Sequence, residues 1–216
     1  LLTPGSPRIG TILRIRTTMI AAAAAVLCLF GPAMPQKTDG KWIDLFNRKD
    51  MTGWRMAGKG NFTVEDGALV THGGMGMLWY EVRKFGNFKL QVEWKVNNKC
   101  NNSGVFVRFP EKSDDPWYAV NNGYEIQIDD CDKKGLMFQT GSVYSFHPAE
   151  KLASKPAGEW NRFEITVIGQ RYTVSLNGKK VNEFEGTRGS EGYVGLQNHD
   201  LISRVSFRRI RVKEIK

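Results

Sequence analysis

The sequence predicts an all-β fold, a sandwich or jelly roll of two antiparallel sheets. After residue 40 almost every segment alternates apolar and polar residues with a period of two, as short half-buried strands do. Gly, Asn, Asp and Pro bound these segments, and Asn177-Gly178 is a strong hairpin signal. No long segment has the helical spacing of apolar residues, so many short strands at regular intervals indicate a sandwich.

The N-terminal segment has the pattern of a secretory signal. Arg14 and Arg16 precede an apolar run at 19–30, and small residues follow it at 31–33. The run is about a dozen residues long, short of the roughly 20 that cross a bilayer as a helix. We therefore expect a signal peptide at 1–33, a short linker at 34–40 and one domain at 41–216. The expected location is secreted or periplasmic, with no membrane attachment after cleavage.

The domain is expected to be built from hairpins. The strands that the alternation predicts are, in chain order, 62–64, 68–70, 88–96, 104–108, 124–128, 163–167, 172–176 and 192–199. The stretch 110–122 is the one lengthy irregular segment in the centre. The net charge of +9 is spread along the chain apart from a C-terminal basic group. That group alternates with apolar residues, so it indicates an exposed strand face rather than a nucleic-acid interface.

The two central strands, 104–108 and 124–128, are expected to pair as antiparallel neighbours. In a register whose residue numbers sum to about 231, Phe106 lies opposite Glu125. The same register brings Cys100 beside Cys131, and the leader implies an oxidising compartment. A disulfide between the two cysteines is expected, with a pair of free thiols as the alternative.

The register also assigns side chains to faces of the sheet. Arg108 would share a face with Glu125 and Gln127, and a slip of one residue would reverse this assignment.

Several blocks in order along the chain resemble a known family, the 3-keto-disaccharide hydrolase domain of the concanavalin A-like lectin and glucanase superfamily. Each block alone is weak, but the ordered series is specific and covers essentially the whole chain after the leader. The blocks are 42–47 (WIDLFN), 52–54 (TGW), 90–94 (LQVEW), 102–108 (NSGVFVR), 123–128 (GYEIQI), 140–144 (TGSVY), 155–161 (KPAGEWN), 176–178 (LNG) and 195–199 (GLQNH).

The resemblance implies a concanavalin A-like jelly roll whose concave sheet binds sugar. It also implies a secreted or periplasmic enzyme that cleaves glycosides already oxidised at C3, and hence a sugar 3-dehydrogenase acting upstream. A ketone at C3 acidifies the hydrogen on C2, so a base can remove it while the C1 substituent leaves by elimination. Such a site needs a base near C2, a cation or hydrogen-bond donor for the enolate oxygen, and an acid for the leaving group.

Three residues are the catalytic candidates. Glu125, mid-strand on a polar face, is the expected general base or acid; the alternative is a surface carboxylate paired across the sheet. Arg108 could be that partner or could hold the substrate. His199, at the end of a strand, could transfer protons near neutral pH or bind a metal, or could be a structural histidine.

The expected sugar-binding residues are polar side chains and aromatic rings. They are Glu93, Gln127, Gln197, Trp79, Tyr144 and Lys155, with Trp117 and Tyr118 as further candidate platforms. Core packing is the alternative for each ring, and a solvated side chain is the alternative for Lys155.

The sequence assigns no metal site. The three histidines are scattered, and no zinc-type spacing occurs. Asp129, Asp130 and Asp132 could contribute to a calcium site, or could form an acidic turn.

Two other functions compete. A retaining β-glucanase on the same fold needs carboxyl groups about 5 to 5.5 Å apart, but Gln127 cannot ionise, and Glu125 and Asp129 would be about 13 Å apart along an ideal strand. A carbohydrate-binding, lectin-like module would need the aromatic platform but neither Glu125 nor His199.

Overall fold

The computed structural model describes residues 40–131 and 135–216. The signal peptide expected at 1–33 and Asp132 lie outside the described residues. Within them, no helix is long and apolar enough to cross a membrane.

The described residues contain thirteen strands, one short helix and one 3₁₀ turn. They are β1 (Ile43–Asp44), β2 (Trp54–Gly58), β3 (Asn61–Glu65), β4 (Ala68–His72), β5 (Gly76–Tyr80), β6 (Phe88–Val96), β7 (Ser103–Phe109), α1 (Tyr118–Asn122), β8 (Tyr124–Ile128), a 3₁₀ turn (Leu136–Phe138), β9 (Asn161–Ile168), β10 (Arg171–Leu176), β11 (Lys179–Glu185), β12 (Tyr193–Asn198) and β13 (Val205–Glu214).

The described strands form two antiparallel sheets, which confirms the predicted fold class. Sheet A has the order β11-β10-β9-β6-β13-β4-β3, with β1 also paired to β13, and sheet B has the order β2-β5-β12-β7-β8. The hairpin predicted at Asn177-Gly178 joins β10 to β11, and both residues have the positive φ that a tight hairpin turn requires (53° and 83°).

The main core lies between the two sheets. Because side chains alternate along a strand, one face of each sheet is apolar and buried. Trp94, Phe163 and Phe207 of sheet A and Ile126 and Leu196 of sheet B belong to this core, and each is at most 1% exposed.

The outer face of sheet B carries a second, smaller apolar cluster under the segment predicted to be irregular. That segment contains α1, whose Ala119 is fully buried. Trp79, Phe109 and Tyr193 belong to this cluster, with ring centroids 5.0 to 6.1 Å apart. The cluster covers one part of the outer face, and the remainder is open and polar.

Candidate functional site

A cavity of about 210 Å³ lies on the open part of the outer face of sheet B. It gathers six residues predicted from the sequence: Glu125, Gln127, Tyr144, Gln197, His199 and Trp117. Three others complete its lining, namely Asn102, Val120 and Phe138.

Strand register explains why these side chains converge. Val105 pairs with Leu196 on one side and with Ile126 on the other, so the preceding residue, Gly104, lies between Gln197 and Gln127. Directly opposed residues of antiparallel strands share a face. Gly104 has no side chain, so it forms a low floor between two amide groups.

Glu125 extends its side chain over that floor. The register predicted for β7 and β8 is confirmed, because Phe106 pairs with Glu125. A Cβ added at Gly104 would overlap the Glu125 carboxyl group, so glycine is required there for the carboxyl group to occupy this position.

The carboxyl group of Glu125 is buried, and it has no ion-pair partner within residues 40–131 and 135–216. The residue is 4% exposed, and its Oε1 has no hydrogen-bond partner within the described part of the chain. Burial penalises the charged form and raises the pKa of Glu125 to about 8. A carboxylate formed here is therefore a much stronger base than one in water.

His199 is oriented by the next residue, Asp200. Its Nδ1 lies 2.9 Å from the Asp200 carboxylate, which also accepts hydrogen bonds from the backbone N–H groups of Ile202 (2.9 Å) and Ser203 (2.6 Å) and from the Ser203 hydroxyl (2.9 Å). Burial raises the pKa of Asp200, but the hydrogen bonds from His199, Ser203 and Ile202 outweigh it and hold that pKa below its usual value.

The ionised Asp200 fixes the tautomer of the imidazole. An ionised carboxylate only accepts, so Nδ1 of His199 carries the proton of their shared hydrogen bond. His199 also lines the cavity, which leaves Nε2 as the nitrogen that can exchange a proton with a ligand there.

The amide groups supply polar contacts to the cavity. Gln127 donates from Nε2 to Asn102 Oδ1 at 3.2 Å. Its Oε1 and that of Gln197 are buried with no partner among residues 40–131 and 135–216. Buried polar atoms normally have partners, so these oxygens are suited to accept hydrogen bonds from ligand hydroxyls.

Aromatic rings form one side of the cavity. Trp117 is half exposed, and Phe138 and Tyr144 pack edge to face with centroids 5.6 Å apart. Backbone bonds from Tyr144 N to Glu125 O (2.9 Å) and from Gly141 N to Gln127 O (3.0 Å) hold this segment along the free edge of β8. Trp117 and Tyr144 were predicted, whereas Phe138 was missed because a single ring in a loop gives no periodic signal.

The expected disulfide is present between Cys100 and Cys131, whose Cα atoms are 4.4 Å apart. It joins the segment before β7 to the segment after β8. The cross-link therefore anchors the start of the loop that carries Phe138 to the strand pair that holds Glu125.

Arg108 does not share the face of Glu125, and the expectation from simple alternation is wrong for this residue. The register between β12 and β7 shifts beside it, and its φ is 61°. This irregularity turns the side chain away from the cavity. The buried guanidinium group instead donates to the carbonyl oxygens of Gly189 and Gly86, both at 2.8 Å.

Glu93 and Lys155 lie together, but on the outer face of sheet A. Glu93 accepts hydrogen bonds from Arg208 Nε at 2.8 Å and from Arg209 at 3.4 Å, and a separate cavity contains Glu93, Lys155 and Trp160. The alternation correctly predicted an outward-facing Glu93. It could not show that β6 belongs to the other sheet, so placing Glu93 and Lys155 with Glu125 was wrong.

Trp79 is not a sugar platform, because the apolar cluster under α1 buries it completely. The alternative of core packing therefore holds for this ring.

Among the described residues, no group of three or more His, Cys, Asp or Glu side chains could hold a metal ion. Asp129 accepts a hydrogen bond from the backbone N–H of Cys131 (2.9 Å) and Asp130 from the Ser154 hydroxyl (2.9 Å). The calcium site stays a prediction, since Asp132 lies outside the described residues.

Comparison with known proteins identifies the family. The sequence model of the family described as the 3-keto-alpha-glucoside-1,2-lyase-like domain matches residues 41–213. The chain belongs to this family. The resemblance drawn from the sequence blocks is thereby confirmed.

Relatives of this chain occur among curated proteins and among solved structures. A 3-keto-disaccharide hydrolase of Bacteroides thetaiotaomicron is 28% identical, over 83% of this chain and 80% of that protein. A Parabacteroides distasonis protein provisionally named a glycosyl hydrolase is 25% identical, with a TM-score of 0.69, over 83% of this chain and 96% of its own. A carbohydrate-binding module of Bacillus subtilis (14% identical, TM-score 0.57, 75% and 96% covered) shares the fold alone.

Proposed function

We propose that this protein cleaves the bond between C1 and the glycosidic oxygen of 3-keto-glycosides by elimination across C1 and C2, followed by hydration. The observation that carries the proposal is one cavity that holds a desolvated carboxyl group and an imidazole backed by a carboxylate. Family membership and the name of the Bacteroides relative support the substrate class.

Glu125 acts as the base. The carboxylate takes the proton from C2, whose acidity comes from the neighbouring C3 ketone, and the C–H electron pair moves into the enolate of that ketone. As the C1–O bond breaks, this pair forms the C1–C2 double bond. Enzymes tune a general base to a pKa near the working pH, and burial does this for Glu125. Gln197, which also lines the cavity, stabilises the enolate oxygen by donating hydrogen bonds from its amide N–H groups.

His199 acts as the acid. As the C1–O bond breaks, the departing oxygen takes the proton from Nε2, and Asp200 is an anion placed to balance the imidazolium charge before that transfer. Hydration restores both groups: Nε2 takes a proton from the water that adds to C1, and C2 takes a proton from Glu125 after this carboxyl group has exchanged its hydrogen with solvent. The net reaction is hydrolysis.

The substrate must come from an oxidation at C3 of an ordinary glycoside, because neither Glu125 nor His199 can create the ketone. A sugar 3-dehydrogenase acting upstream supplies it in this proposal. We also propose that the protein works outside the cytoplasm, supported by the leader pattern and by the disulfide between Cys100 and Cys131.

Aglycone release from matched 3-keto and unoxidised glucosides tests the proposal. We expect turnover of the 3-keto compound only, since without the ketone the C2 hydrogen is not acidic. Glu125→Gln should lower kcat by about 1,000-fold or more, whereas Glu159→Gln, at an exposed carboxylate outside the cavity, should leave it unchanged. Binding of sugar without turnover would instead support a lectin-like module. Cleavage of unoxidised β-glucan would support a glucanase.

The leaving group separates the two catalytic roles. His199→Ala should slow release of an alkyl alcohol far more than release of nitrophenol, because nitrophenolate departs without protonation. Equal slowing of both compounds would contradict the assignment of His199 as the acid.

A further inference from the structure

A second, apolar groove of about 530 Å³ adjoins the cavity. Its walls are the backbone of three glycines and the side chains of Met75, Pro116 and Leu201, together with Lys59. Leu201 is 80% exposed, and its neighbour Ile202 is 86% exposed. Contiguous exposed apolar surface is a feature of many ligand-binding grooves.

Strand ends bring the groove and the cavity close together. Asn198 pairs with Gly76 and Gln197 with Met77, at the end of β12 and the start of β5. His199 of the cavity and Met75 of the groove are the next residues beyond this last pair. The groove therefore starts near the imidazole.

The loops connect the same two places. Pro116, in the groove, precedes Trp117, in the cavity, and Leu201 follows His199 by two residues. Pro116 and Leu201 lie against the backbone of Gly58 and Gly74, where side chains would narrow the groove.

The chemistry of the groove differs from that of the cavity. The cavity offers a carboxyl group, an imidazole and amides, whereas Lys59 is the one side chain with a polar end that lines the groove among the described residues. A second sugar would place hydroxyl groups against Met75, Pro116 and Leu201, whose side chains offer no strong hydrogen-bonding group. An alkyl or aryl group would instead bury apolar surface against them.

We propose that this groove binds an apolar aglycone, an alkyl or aryl group attached to the C1 oxygen of the 3-keto sugar held in the cavity. This inference rests on the proposed function. It fits the assignment of His199 as the acid, because the imidazole lies between the sugar and the groove, where the departing oxygen would be.

Methyl, butyl and hexyl 3-keto-glucosides, assayed as both anomers, test the inference. These alcohols have nearly the same acidity, so their reactivity as leaving groups is matched and kcat/KM reports binding of the chain. We expect kcat/KM to rise on the order of 30-fold from methyl to hexyl, as partial burial of five methylenes implies.

A surface variant localises the effect. Leu201→Asn should lower the hexyl-to-methyl ratio by about fivefold or more. Leu152→Asn replaces another exposed leucine (57%) that lines neither the cavity nor the groove, and should leave the ratio unchanged.

The outcomes separate the two proposals. If the methyl compound is cleaved with a hexyl-to-methyl ratio near one, or if a 3-keto-disaccharide has a higher kcat/KM than the hexyl compound, the aglycone inference is overturned and the proposed function stands. If no 3-keto-glycoside is cleaved, the proposed function fails and the inference fails with it.

Discussion

Replacing Glu125 with glutamine should make the protein more stable at alkaline pH, although it destroys the proposed base. The pKa of this carboxyl group is about 8 in the folded protein against 4.5 for the unperturbed group. Each tenfold change in proton affinity corresponds to about 1.4 kcal/mol, so burial disfavours ionisation by on the order of 5 kcal/mol. Glutamine has nearly the same shape and avoids this cost.

The sign of the effect follows from proton binding. Below the unperturbed pKa of 4.5 the group is protonated in both states and contributes no pH dependence. As the pH rises from there to about 8, the unfolded chain loses the proton while the folded protein keeps it. The wild type therefore loses about 1.4 kcal/mol of stability per pH unit from this group across that window.

Urea unfolding, followed by tryptophan fluorescence from about pH 5 to about pH 8.5, measures this difference. We expect the unfolding free energy of Glu125→Gln minus that of wild type to increase by several kcal/mol across the range. The matched variant Glu159→Gln should show a flat difference. A difference for Glu125→Gln that stays constant within about 1 kcal/mol would refute the argument that its carboxyl group is desolvated.

Three further substitutions test the site. Gly104→Ala should lower kcat by about 100-fold with the fold intact, because the new Cβ displaces the Glu125 carboxyl group. The control Gly86→Ala, whose Cβ meets nothing within 4 Å, should leave kcat unchanged. Equal activity of the two variants would contradict the requirement for glycine beneath the Glu125 carboxyl group. Asp200→Asn should lower kcat by about 100-fold or more with little change in KM, since the imidazole loses its fixed tautomer, and an effect on KM alone would count against this role. Cys131→Ser should lower the unfolding free energy by about 3 to 4 kcal/mol, because it removes a cross-link spanning 31 residues. It should also raise KM, and an unchanged KM would show that the aromatic side of the cavity does not need the cross-link.

The sequence predicted the part of the site that depends on regular strands. Alternation and one register placed Glu125 and Gln127 on one face and brought Cys100 to Cys131, as the structure shows. These features require only the period of a strand and the geometry of an antiparallel pair, which local residue patterns encode.

Alternation failed where the backbone is irregular or where the identity of the sheet matters. Arg108 has a positive φ and lies at a bulge, and the apolar pattern of the sequence does not predict such a bulge. Glu93 is outward-facing as predicted, but the pairing of β6 with β9 and β13 puts it on the far side of the sandwich. Trp79 lies on the same face of its sheet as the site residues, but it is buried in the apolar cluster with Phe109 and Tyr193.

Two elements of the site could be recognised only once the loops were placed. Asp200 directly follows His199, and this dipeptide is the sequence signal that could have identified it. The hydrogen bonds from Ser203 that hold the Asp200 carboxylate depend on the turn after β12. Phe138 reaches the cavity because its loop follows the edge of β8.

The fate of the C2 hydrogen tests the central claim most directly. A 3-keto-glucoside carrying deuterium at C2 is turned over in water and followed by NMR, with a blank lacking enzyme. The account predicts that deuterium leaves C2 at least as fast as the aglycone is released, and that both processes fall together in Glu125→Gln. Release of the aglycone while the label stays at C2 would contradict elimination and the role given to Glu125.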